Sequence, residues 1–143
     1  MPTLSGLLGS TFIGLQGTQG TQGLQGVQGS ILSNVPQNSK SAQYTLQISD
    51  IGKHVSTTYA PGIGTASIIV PISVFSPGDT VTIFNNTSSD ITISKQSSSV
   101  TMYLAGTSTD TTNRTLSQRG LCTLLCITGG STPTFVIAGS GLT

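Results

Sequence analysis

The chain has no glutamate and no tryptophan, and charge of either sign is scarce. Lys40, Lys53, Lys95, Arg114 and Arg119 stand against Asp50, Asp79, Asp90 and Asp110, and residues 2–39 carry no charged side chain. A net charge of +1 gives neither nucleic acid nor an acidic membrane surface an electrostatic reason to bind. So uncharged a chain is poorly soluble as a free monomer and better suited to life inside an assembly. With a single histidine, His54, it also lacks the clustered titratable groups that proton transfer and nucleophile activation require. Asp50 lies four residues before His54, but the pair straddles an expected turn, and no G-x-S-x-G elbow leads into a helix. The expectation is a non-enzymatic protein with no cofactor.

Cysteine is equally sparse. Cys122 and Cys126 are too few for a disulfide framework and have no second pair for zinc. On a strand over 121–127 they share one face about 13 Å apart, too far to bridge, and read as buried apolar thiols. Asp79, Asp90 and Asp110 lack calcium-loop spacing and are expected to support turns through nearby backbone N–H groups. Arg114 and Arg119 are expected to pair with an aspartate of their own or an adjacent subunit. The start, Met1 to Leu8, has no basic n-region and no long apolar run, so neither a signal peptide nor a membrane span is expected.

What the chain does have is glycine in register. From Gly14 to Gly29 the sequence runs G-L-Q, G-T-Q, G-T-Q, G-L-Q, G-V-Q, G, one glycine at every third residue with a glutamine closing each triplet. Three extended chains wound about one axis leave room there for a hydrogen atom and nothing larger. The pattern therefore predicts a homotrimer, with Gly14, Gly17, Gly20, Gly23, Gly26 and Gly29 on the axis of a rod roughly 45–50 Å long. A Gly/Gln linker is the competing reading, but a linker has no reason to keep a strict period. So short a tract, without proline, needs a neighbouring domain to hold three chains in register.

The 143 residues have room for one ordinary domain plus an appendage. Residues 1–13 bring Leu4, Leu7, Leu8, Phe12 and Ile13 to the foot of the rod and read as a peptide that docks on a larger partner. Residues 14–29 are the stalk and 30–41 a connector containing Pro36. From residue 42 the period becomes two. Ala42-Tyr44-Leu46-Ile48, His54–Tyr59, Ala66–Val70, Ile72–Phe75 and Val100-Met102-Leu104 read as strands. Thr80–Phe84 with Asp90–Ser94, and Leu121–Thr128 with Thr134–Ala138, read as hairpins. Tyr44, Tyr59 and Tyr103 fall in or beside these runs, where packing is the default role. The fold class expected is all-β: a collagen-like triple-helical stalk followed by a β-sandwich or barrel head over 42–143, homotrimeric. Three heads about an axis would also cover exposed sheet edges.

Four stretches carry a resemblance: Ser76-Pro77-Gly78-Asp79-Thr80-Val81-Thr82-Ile83-Phe84-Asn85-Asn86, Val100 to Thr107, Arg114 to Gly120, and the closing Phe135 to Leu142. They resemble a small β domain that recurs in structural proteins of tailed bacteriophages, those infecting cyanobacteria above all. The G-x-Q tract is similar to the collagen-like segments of phage fibre proteins. This likeness implies a location on the virion surface, as a short head or tail fibre or a capsid decoration protein, with other virion proteins of the capsid or tail as partners of the N-terminal segment. It also implies the alternative of an adhesin whose head binds a host-surface glycan.

Overall fold

The computed structural model describes residues 17, 20, 21, 23, 34–58 and 67–143, and the chain divides into two units, Met1–Ile31 and Leu32–Thr143. In the first unit Gly17, Gly20, Thr21 and Gly23 are exposed. The expected docking residues Leu4, Leu7, Leu8, Phe12 and Ile13, and the axial Gly14, Gly26 and Gly29, lie outside the described residues, as does Tyr59.

The second unit is all-β. Its strands are β1 (Gln37–Lys40), β2 (Tyr44–Thr45), β3 (His54–Thr57), β4 (Ser67–Val70), β5 (Thr80–Asn85), β6 (Ile91–Lys95), β7 (Thr101–Leu104), β8 (Asn113–Thr128) and β9 (Thr134–Leu142), with one 3-10 turn at Ile48–Asp50. The chain alternates between two arms of one sheet. β1, β3 and β5 stack in parallel in the first arm, and β2, β4 and β6 stack in parallel in the second. Each β-strand pair thus makes one rung of a three-rung coil. The long β8 closes this coil by running antiparallel to both members of the third rung. Its residues 121–125 pair with β5 and its residues 113–116 pair with β6. On the far side of β8 lies β9, antiparallel, and beyond it β7, parallel to β9. The result is a nearly closed, barrel-like sheet.

To serve both arms β8 has to turn a corner. It does so over Ser117–Gly120, where Arg119 takes φ 60° and the register with β9 slips between Leu116 and Leu121, as at a β-bulge that bends its strand. Pairing with β9 also requires Gly139. A Cβ there would collide with the Leu121 carbonyl oxygen and the Cys122 Cα, backbone atoms that cannot give way without breaking the ladder.

Period-two alternation sends one side chain of each strand pair inward. Val55, Ile68, Val70, Val81, Ile83, Ile91, Ile93, Met102, Leu116, Leu124, Phe135 and Ile137 are all buried in a single cluster drawn from both arms. Phe75 meets Phe135 edge to face, centroids 6.1 Å apart, a favoured aromatic geometry. Cys122 and Cys126 point into this core as free thiols.

Several expectations need correction. Thr80–Phe84 and Asp90–Ser94 do not form a hairpin. β5 and β6 lie in different arms and each pairs with β8 instead. Alternation reports which face a residue occupies, not which strand it pairs with. The connector assigned to 30–41 contains β1, so the β unit begins earlier than residue 42. The run from Ala42 to Ile48 is a two-residue strand followed by the 3-10 turn, which leaves Ile48 58% exposed. Ile72–Phe75 is a bend rather than a strand, and β8 begins at Asn113, well before Leu121. The hairpin of Leu121–Thr128 with Thr134–Ala138 is present.

Candidate binding cleft and its polar hubs

Among the described residues the surface offers a shallow cleft with an apolar floor and, joined to it through Gln96, a polar shelf. The cleft, about 560 Å³, is lined by Thr45, Leu46, Gln47, Ile48, Pro71, Ile72, Ser73, Val74 and Gln96. These residues come from the end of β2 and the break after it, the bend after β4 and, for Gln96, the end of β6, where the chain leaves the second arm. The shelf, about 410 Å³, is lined by Lys95, Gln96, Ser97, Ser98, Asp110 and Thr112. A cleft of this kind takes an uncharged ligand with an apolar side, held at one end by hydrogen bonds.

Several of its polar groups, however, are already engaged. The Gln96 side-chain oxygen accepts the Ile72 N–H at 2.9 Å. Lys95 Nζ donates to Asp110 at 2.5 Å, and the same carboxylate oxygen accepts the Met102 N–H at 2.8 Å. Burial raises the Asp110 pKa somewhat, but the Lys95 hydrogen bond, the Met102 N–H and the Lys95 and Arg114 charges outweigh it and hold the group below the ordinary carboxylate range. Arg114 is buried, and its Nη2 donates to the Thr109 carbonyl at 2.8 Å. These bonds fasten the loop between β7 and β8; they do not point donors at a ligand.

A second hub surrounds Asp50, which is fully buried. Its carboxylate accepts from Asn38 Nδ2 at 2.5 Å, from the Tyr44 hydroxyl at 2.9 Å and from the Gln47 N–H at 2.8 Å. One side chain thereby ties β1, β2 and the 3-10 turn together. Burial first, and then the hydrogen bond to and charge of Asp50, push the Tyr44 phenol above its ordinary value. Lys40 Nζ sits 4.1 Å from the Tyr44 ring centre, within cation–π range. His54 is not among the Asp50 partners. It lies on the outer face of β3, paired in register with Gln37 and Thr82, so the Asp50/His54 pair imagined from sequence has opposite destinations.

The third hub is Asn85, fully buried at the end of β5. Its amide nitrogen donates to the carbonyls of Ser89, Leu116 and Ser117 at 2.8, 3.0 and 3.0 Å. Its oxygen accepts the Thr87 N–H at 3.1 Å and the Thr87 hydroxyl at 2.7 Å. This side chain fixes both the crossing from β5 to β6 and the corner of β8. Nothing in its local sequence marks it out from its neighbour Asn86.

The remaining charged residues serve the scaffold. Asp79 accepts the Ser76 N–H at 2.8 Å across the turn Ser76-Pro77-Gly78-Asp79, where Gly78 at φ 94° fills the position that a type II turn reserves for glycine. Asp90 accepts the more distant Gln118 N–H. Arg119 donates to the Asn86 amide oxygen rather than to an aspartate. Burial pushes the Cys122 thiol up to about 12 and, with the Asp79 charge, raises Cys126 as well. Among the described residues no group of three or more His, Cys, Asp or Glu side chains could hold a metal ion, and no helix is long and apolar enough to cross a membrane.

No protein-family model matches the chain and no curated protein shows significant similarity to it. The functional reading therefore rests on the residues themselves.

Proposed function

We propose that the chain is a non-enzymatic structural component of a bacteriophage virion, a short homotrimeric fibre or capsid-decoration protein. Residues 1–13 anchor it to the particle, Gly14–Gly29 winds as a triple-helical stalk, and the β head is displayed at the virion surface. The observation that carries this reading is the unbroken glycine period. At Gly17, Gly20 and Gly23 nothing lies within 4 Å of where a Cβ would stand and none has a positive φ. The strict period, which a linker has no reason to keep, supports a steric demand from neighbouring chains.

Light scattering on the full chain tests this: the mass should be three times the 14.6 kDa of one chain, and a one-chain mass refutes the stalk. Removing residues 1–13 should leave a trimer that no longer binds the purified particle. The second reading, a carbohydrate-binding adhesin, is favoured by the apolar cleft with its Gln96 rim. Saturable binding on a glycan array, abolished by filling the cleft with Ser73→Trp, would support it over the decoration role.

A further inference from the structure

The two arms of the sheet differ on their outer faces. On the second arm the outward positions Thr45, Thr92, Ser94, Asn113 and Thr115 are polar and Ile69 alone is large and apolar. On the first arm register places Phe84 beside Leu121, Leu125 beside Val136, and Val136 beside Tyr103, with Ile127 next along β8. Leu121 and Ile127 are 50% and 44% exposed, far more than a strand facing a core allows. The others are half-buried. Through the middle runs a row of Thr82, Thr123 and Ala138, with the two threonine hydroxyls 3.4 Å apart. No lysine, arginine or aspartate stands on the outward positions of β5, β7, β8 residues 121–127 or β9.

We infer that this outer face is the surface through which copies of the head pack on one another, an inference that rests on the trimeric reading above. A partner bearing charge would bury it here with nothing to pair it, and the desolvation of an unpaired ion is prohibitive. A second copy of the same face brings no charge and matches aromatic and aliphatic groups against their like, the composition of an interface core. Four strands spaced about 4.8 Å, over about 20 Å of β8, give a patch of roughly 300–400 Å² per chain. That is less than the ~800 Å² per partner of a standard stable interface. It suffices where the stalk has already brought the chains together and raised their effective concentration. The converse also holds: a short stalk without proline persists because the heads hold its three chains in register. Three sheets meeting about a threefold axis, apolar faces inward, satisfy both needs with one closed symmetry.

The test is the full chain carrying Leu121→Lys and Ile127→Lys, compared with wild type by light scattering. Both side chains are exposed in the single chain, so the substitutions should leave the fold intact by circular dichroism. The expected result is a threefold fall in mass, from three chains to one. A wild-type trimer whose mass and melting midpoint are unchanged in the double variant overturns the inference and leaves the trimer standing. A wild-type dimer that the variant splits would keep the face and refute the triple helix. A second measurement does not depend on introducing charge. Thr123→Cys, at the centre of the face, should cross-link between chains with a short bismaleimide, whereas Thr115→Cys on the opposite arm should not; equal cross-linking of the two refutes the assignment.

Discussion

Asn85 offers the sharpest quantitative test of how this coil is held. Replacing it with alanine strands the Leu116 and Ser117 carbonyls and the Thr87 N–H, while Ser89 O keeps the Thr87 hydroxyl as donor. Each buried polar group left without a partner costs about 1–3 kcal/mol, and partial relaxation brings the expected total for Asn85→Ala to about 3–5 kcal/mol. That is a large share of the ~5–15 kcal/mol by which a domain is stable. Asn85→Asp separates the hydrogen bonds from the shape. It keeps the oxygen that accepts from Thr87 but turns a second oxygen toward three carbonyls. An ionised carboxylate there is repelled and desolvated, so its folded pKa rises above the unfolded value of about 3.9. A raised folded pKa means that the protonated acid, which can donate one bond, contributes fully below about pH 4. That contribution is lost as pH rises through the folded pKa. The gap between wild type and Asn85→Asp should therefore widen from about pH 4 to about pH 8, by roughly 1.4 kcal/mol for every tenfold by which folding weakens the acid. Urea unfolding at matched chain concentration measures both variants, and the wild-type aspartates cancel in the difference. A cost below about 1 kcal/mol for Asn85→Ala, or a gap for Asn85→Asp that ignores pH, would refute the hub as the joint between β5 and β8.

Three further outcomes follow from the same geometry. Ser73 sits at φ 56°, and relieving that left-handed strain with Ser73→Gly should gain about 0.5–1 kcal/mol after the entropy of glycine in the unfolded chain is subtracted; a lower melting midpoint would contradict it. Cys122, raised to about 12, should react with a thiol reagent at about pH 8 some three orders of magnitude more slowly than a free thiol, and both cysteines should become reactive on denaturation. Asp110→Asn removes the partner of a Lys95 side chain that is only 7% exposed, the aspartate itself being 38% exposed, and should cost about 1–3 kcal/mol at neutral pH, between an exposed and a fully buried pair. Because the native Asp110 pKa is lowered, that contribution is present above the unfolded pKa and fades as pH falls through the folded one, so the variant and wild type should converge in acid.

The all-β class of the second unit was legible because its signals are local. Val81, Ile83, Ile91, Ile93, Met102, Cys122 and Cys126 occupy the inward phase that alternation assigns them, and the Ser76–Asp79 turn carries the residues its type demands. Strand partnership was not legible. β1 pairs with β3 and β3 with β5 across intervening strands of the other arm, and no turn chemistry encodes such a parallel ladder. β1 itself, Gln-Asn-Ser-Lys, is a polar edge strand, the composition that guards an edge against stray pairing and that reads locally as linker. The hubs were hidden for a related reason. Asp50 and Asn85 look like turn residues in sequence, and their burial is decided by Asn38, Tyr44, Leu116 and Ser117 arriving from elsewhere.

The sparse charge of the chain acquires a structural meaning from this arrangement. Lys95 is paired with Asp110, and Asp50 and Arg114 are inside the head, so with a net charge of +1 copies repel one another little. Of the edge strands β1, β2 and β7, β1 is polar and bears Lys40, which discourages strand addition on that side. The broad apolar surface among the described residues lies on the sheet face of β5, β8, β9 and β7. In the proposed packing, faces meeting about an axis close on themselves, whereas edges propagate, so association through the face stops at a fixed number instead of growing into a fibre of sheets.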